Sequence, residues 1–175
     1  MFQEISSFDQ IPILYPNSLI ICDIDETFLY FPNNYNKLLE NNINFYNNIT
    51  IAIEKTNLEW SNVINNTVAK ATDFDGFIRL LQRLKYNQSN ICFLTARSDH
   101  LENIEFTKKN FSQIGINYNA FTVMYSYTIP KGEYIKLNLN LDNYSQVIFI
   151  DDMDYNLQNV YNNFGNRINC YKFIM

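Results

Sequence analysis

Residues 19–30 read LIICDIDETFLY, and the build of this stretch decides how the rest of the chain is read. Leu19 to Cys22 is apolar and rich in β-branched residues, which suits a strand covered on both faces. Asp23 closes that strand and Asp25 follows two positions on. In extended backbone, side chains two apart point to the same side, so both carboxylates face whatever sits at the strand's C-terminal end. Open α/β sheets bind their ligands at that edge. One carboxylate is then placed to attack while its neighbour handles a proton.

Outward from this stretch, apolar runs recur with amphipathic segments between them. That alternation predicts an α/β fold with a mainly parallel sheet. Strands are expected at 19–23, 90–95, 120–125, 146–151 and 168–173. Phe74, Phe77, Ile78, Leu81 and Leu84 fall at helical spacing ahead of the second strand. A further helix over 99–113 carries Leu101, Ile104, Phe106 and Phe111, with Gly115 as its stop signal. Helices are also expected over 131–141 and 156–164. Residues 31–72 read as mostly helical and contain the only tryptophan, Trp60. The insertion is too short for a large second domain, so the 175 residues are read as one domain with a small cap at about 31–72.

Composition narrows the function. With 13 Lys+Arg against 18 Asp+Glu and a net charge of −5, no basic run tracks a nucleic-acid backbone. Cys22, Cys92 and Cys170 are odd in number, widely separated and unlike a zinc knuckle, so they read as small buried hydrophobes of a reduced protein. No signal-peptide pattern opens the chain, and no apolar run approaches the ~20 residues of a membrane helix. A soluble, cytoplasmic protein is expected. Asparagine is abundant, 28 of 175 residues, and clusters around 33–48. Leu38, Leu39, Ile43, Phe45 and Tyr46 interleave with that cluster, which favours a folded element over a low-complexity tract.

Four chemical signals occur in order, each at a predicted strand end or helix start. They are Asp23, Asp25 and Thr27 as D-x-D-x-T, Thr95 in FLTAR, Lys131 in IPKGEYIK, and Asp151 with Asp152 in VIFIDDMDYN. This set resembles the haloacid dehalogenase (HAD) superfamily, in particular the phosphatases among its poorly characterised bacterial and viral members. The resemblance spans about 19–156 and implies a Rossmann-like three-layer α/β/α sandwich, with the Asp23 strand between those of Thr95 and Asp151.

The resemblance also implies an activity: Mg²⁺-dependent hydrolysis of a phosphate monoester through an aspartyl-phosphate. Asp23 matches the nucleophile and Asp25 the general acid. Thr95 matches the hydroxyl on a phosphoryl oxygen, and Lys131 the charge-compensating cation. Asp152 matches the metal ligand that acts with Asp23 and the Asp25 carbonyl, while Asp151, where many relatives carry Gly, supports the metal shell. Thr27 and Arg97 are further candidates for substrate contact, and Asn156 for orienting the acids. Independent physics agrees that clustered carboxylates facing a phosphate need a hard cation and a lysine. The substrate's class and the oligomeric state are not legible.

Other readings remain beside this one. A catalytically weak phosphate-binding scaffold, or a phosphotransferase, would carry the same motifs. A response-regulator receiver would place its acid pair first and its phosphoacceptor later, the reverse of the order here. Asp73 and Asp75 in DFDG lack the apolar strand and read as helix N-capping residues. His100 reads as a surface residue at a helix start, which leaves no Ser–His–Asp triad. Trp60 reads as packing within the insertion.

Overall fold

The structure, a computed structural model, describes residues 2–13, 15–32 and 34–175. Its main sheet is formed by β1 (Gln3–Ile5), β2 (Ser18–Cys22), β5 (Asn90–Thr95), β6 (Thr122–Tyr125), β7 (Gln146–Asp151) and β8 (Ile168–Phe173). The strands lie in the order β1-β8-β7-β2-β5-β6, and every pairing is parallel. β2 is therefore central, with β5 and β7 on either side, as the resemblance implies.

Alternation along each strand sorts the core into two faces. Ile20, Cys22, Phe93, Ile148 and Ile150 pack with Phe77, Leu80 and Leu84 of α3 (Phe74–Tyr86) and Phe111 of α4 (Leu101–Gln113). Leu19, Ile21, Leu94, Val147 and Phe149 pack with Ile135 of α5 (Lys131–Asn138) and Leu157 and Val160 of α6 (Asp154–Phe164). Helices on both faces of a parallel sheet make the three-layer α/β/α sandwich.

The helix starts follow from local chemistry. Asp73 caps α3 by accepting the Gly76 N–H at 3.0 Å. The same carboxylate also takes the Ser7 hydroxyl at 2.6 Å and the Phe8 N–H at 2.9 Å, which pins the N-terminal segment. Gly132 lets α5 sit directly on α6, because a Cβ there would lie 2.6 Å from the Asn159 carbonyl oxygen. Its N–H donates to Asn159 Oδ1 at 2.7 Å, so the residue before it, Lys131, is held at a fixed depth.

Between β2 and α3, β3 (Leu29–Tyr30) pairs antiparallel with β4 (Lys70–Ala71). That ribbon carries α1 (Tyr35–Tyr46) and α2 (Ile49–Asn66), packed against each other as a helical hairpin. Four asparagines of this region have structural roles. Asn34 and Asn48 cap the two helices, while Asn47 takes the left-handed conformation (φ 48°) that ends the first. Buried Asn42 donates to Thr56 across the hairpin at 3.1 Å. Trp60 packs edge-on against Phe31 and Tyr35.

Boundaries shift where side-chain caps intervene. The strand expected at 120–125 begins at Thr122, because 118–120 form a 3-10 turn capped by Asn117. The helix expected over 131–141 ends at Asn138. No helix among the described residues is long and apolar enough to cross a membrane.

Candidate active site

Every candidate residue from the four sequence signals comes to the C-terminal edge of the sheet. Asp23 follows β2 directly, and its N–H still donates to Ile150 of β7 at 2.9 Å. The chain then turns tightly: the Phe28 and Leu29 N–H groups both reach the Ile24 carbonyl, at 3.0 and 2.7 Å. This turn carries Asp25, Glu26 and Thr27. Thr95 ends β5, Lys131 opens α5, and Asp151 ends β7 with Asp152 next to it.

Lys131 is the hub. It is 2% exposed and donates to Asp23 Oδ1 and, at 2.7 Å, to Asp151 Oδ2. Asp151 also accepts the Met153 N–H at 2.9 Å and the Asn156 amide at 3.0 and 3.1 Å. Its oxygens are thus committed to the protein. Asp152 accepts only a long bond from the Thr27 hydroxyl among its described side-chain contacts, at 3.3 Å. Asp23, Asp151 and Asp152 each bring one carboxylate oxygen within 4.8 Å of the others.

Asp25 is held differently. The Arg97 guanidinium grips it with Nε to Oδ2 at 2.9 Å and Nη2 to Oδ1 at 2.6 Å. This fork fixes the carboxylate's plane as well as its position. Thr95 Oγ1 accepts the Arg97 backbone N–H at 3.2 Å, which leaves its hydroxyl proton directed elsewhere.

The charges do not balance. Five carboxyl groups, those of Asp23, Asp25, Glu26, Asp151 and Asp152, face two cations, Lys131 and Arg97. Burial pushes the Asp23 carboxyl well up from its ordinary value, and Asp151, Asp152 and Asp25 add to the rise while Lys131 opposes it. Burial, with Asp151 beside it, lifts Asp152 to about 7. Burial alone would lower the Lys131 ammonium, but Asp151 and Asp23 outweigh it and hold the lysine above its usual range. Arg97 answers Asp25, while Asp23 and Asp151 share Lys131 and Asp152 has no cation of its own, so the cluster remains under-compensated. An all-oxygen cluster with that surplus fits a hard divalent cation.

Residues 6–134 match the HAD superfamily, subfamily IIIB (Acid phosphatase). The chain belongs to that family. The HAD match takes in Asp23, Asp25, Thr95, Arg97 and Lys131 and ends ahead of Asp151 and Asp152. Among solved structures the chain is similar to the class C acid phosphatase from Bacillus anthracis. That likeness has 16% identity and a TM-score of 0.50, covering 90% of this chain and 66% of that one. A second structure of that enzyme, with tungstate bound, gives 15% identity and a TM-score of 0.47, covering 91% of this chain and 68% of that one. This chain thus spans just under two thirds of the first neighbour's length. No curated protein matches it.

Thr27 and Arg97, the further candidates for substrate contact, lie beside the acids of this site. The Thr27 hydroxyl bonds to Asp152 and the Arg97 guanidinium to Asp25. An arginine two residues past a strand-ending Thr carries no local signal for which acid it will meet. Glu26 is a site residue that no motif marks. It is 5% exposed, its backbone takes the left-handed conformation (φ 61°), and Oε1 has no hydrogen-bond partner among the described residues. Burial, with Asp152 and Asp25 nearby, lifts its carboxyl to about 8.

That shift has a testable sign. Between the ordinary value of 4.5 and about 8, the folded state holds a proton on Glu26 that the unfolded chain has released. Glu26 therefore contributes least at alkaline pH, and stability falls as pH rises through that window. In EDTA at pH 9, Glu26→Gln is expected to melt roughly 2–6 °C above wild type once solvent screening is allowed for, with the gap closing by pH 4. Thermal denaturation across pH checks this, and a pH-independent gap would exclude Glu26 as its source.

Proposed function

We propose that this chain is a divalent-metal-dependent acid phosphatase that hydrolyses a phosphate monoester in two steps through a phosphorylated Asp23. The observation that carries the reading is the Lys131-centred cluster of Asp23, Asp151 and Asp152 facing Asp25 and Thr95. Lys131 holds Asp23 Oδ1, so Oδ2 is the oxygen left to attack phosphorus. A P–O bond forms to Asp23 as the bond to the leaving oxygen breaks. Asp25 gives that oxygen its proton and then takes one from the water that releases phosphate from Asp23. The Thr95 hydroxyl donates to a phosphoryl oxygen, and Lys131 offsets the charge of both nucleophile and phosphoryl group.

Asp23, Asp152 and the Asp25 carbonyl are the groups assigned to Mg²⁺, with Asp151 and Asn156 steadying them from behind. Bound there, Mg²⁺ would supply the positive charge that lets a carboxylate approach a phosphate dianion.

The test is turnover of p-nitrophenyl phosphate in Mg²⁺ with an EDTA control, beside thermal unfolding under the same conditions. EDTA is expected to abolish turnover. Saturating Mg²⁺ is expected to raise the melting temperature by about 5–10 °C, the effect of a ligand at ~100 times its Kd. Asp152→Asn should lose both responses. Full activity in EDTA, or a Mg²⁺ response unchanged in Asp152→Asn, would remove the metal assignment.

A further inference from the structure

The Asp25–Arg97 pair does not stand alone. Arg97 Nη1 donates to Asn110 Oδ1 and to Thr107 Oγ1, each at 3.0 Å. Thr107 and Asn110 lie on α4 and both are fully buried. Their spacing of three places them on one face of that helix, aimed at the guanidinium. The Thr107 hydroxyl donates its own proton to the Asn103 carbonyl at 2.7 Å, so only its lone pairs are offered to Arg97. The Asn110 amide nitrogen reaches the other way, to the Ile64 carbonyl at the end of α2, at 3.3 Å.

A buried polar group is costly unless its bonding is complete. Asn110 and Thr107 each spend a buried acceptor oxygen on the guanidinium, while the Asn110 amide nitrogen also reaches Gln113. Arginine side chains are long and rotamer-rich, so a fork onto a carboxylate is stiff only when the guanidinium's far edge is also held. Here one edge meets Asp25 and the other meets α4.

We propose that Asn110 and Thr107 are positioning residues that act through Arg97 to hold the Asp25 carboxylate where it protonates the leaving oxygen. This rests on the acid/base assignment of Asp25 above. Each Asp25 oxygen gives one lone pair to the fork and keeps another for the reaction. The Ile64 contact ties the helical hairpin to the same chain of bonds, so the hairpin's seat on α4 and the aim of Asp25 are set together.

The experiment compares kcat/KM for phenyl phosphate and p-nitrophenyl phosphate in Asn110→Leu, Thr107→Val, Thr107→Ser and Asp25→Ala, all with Mg²⁺. Phenolate is the poorer leaving group and needs the proton, whereas nitrophenolate departs largely without it. Asn110→Leu and Thr107→Val are expected to lose about tenfold or more on phenyl phosphate and much less on the nitro ester. Thr107→Ser keeps the acceptor and should recover most of that loss. Equal losses on both esters in the α4 variants, or no loss on either, overturn the proposal while Asp25→Ala still discriminates. If Asp25→Ala itself fails to discriminate, the acid assignment falls and this proposal with it. Should Asn110→Leu not fold, the Thr107 pair decides the matter.

Discussion

Asp23→Asn is expected to lower turnover of p-nitrophenyl phosphate by about 10⁴-fold or more, while leaving the metal-free protein as stable as wild type or more stable. The two effects have one cause. An amide is far too weak a nucleophile to form the phosphorylated intermediate, so the two-step route closes. The same substitution removes one charge from a buried group that shares a single lysine with Asp151 and is pushed up by Asp152 and Asp25. Asparagine keeps an oxygen for Lys131 to bond. Active sites often hold such strain at the expense of stability. Steady-state kinetics and thermal melting in EDTA check both halves. Turnover within tenfold of wild type sinks the nucleophile assignment, and a marked fall in melting temperature sinks the account of the strained cluster.

Lys131→Met is expected to destabilise the fold more than any other single change at this site. The ammonium is fully buried between two carboxylates, and Gly132 has brought its helix close enough for that depth to be invariant. Removing one partner of a buried ion pair leaves the other unpaired, at a cost of about 3–5 kcal/mol. For a chain of this size that corresponds to roughly 6–20 °C in melting temperature. The deficit should shrink as pH falls, because the stranded carboxylates then take up protons. The double variant Lys131→Met with Asp151→Asn should recover part of the loss at pH 7, since a neutral amide needs no ion pair. A single-variant loss below about 1 kcal/mol would show that the lysine is not what keeps these acids together.

Much of the fold is readable along the chain, for identifiable reasons. The α/β alternation and the five strands predicted from apolar runs depend on periodicity, which is a local property. Asp23, Asp25, Thr95, Lys131 and Asp152 are legible because each stands at or beside a strand end or a helix start. What stays hidden in the sequence is decided by tertiary contact. β1 is three residues with only Ile5 buried, and it exists because β8 offers it an edge. β3 and β4 are two residues each and pair across the whole helical hairpin. Arg97 chooses Asp25 over solvent because α4 brings Thr107 and Asn110 beneath it. Glu26 occupies a left-handed turn position that more often takes glycine, and its burial follows from the turn's closure. Such pairings join residues far apart in the chain, where no spacing rule operates.

The edge made by β1 has a consequence for synthesis. Gln3 and Ile5 pair with Tyr171 and Phe173, roughly 170 positions downstream, and the Phe8 ring rests against that of Phe173. At translation rates of about 5–20 residues per second, β1 waits roughly 10–30 s before its partner has even been polymerised. During that interval Ile5 and Phe8, both sequestered in the finished molecule, have no β8 to cover them. Closure of this edge therefore has to follow synthesis of β8, and a ribosome stalled short of Ile168 would leave Ile5 and Phe8 without that cover.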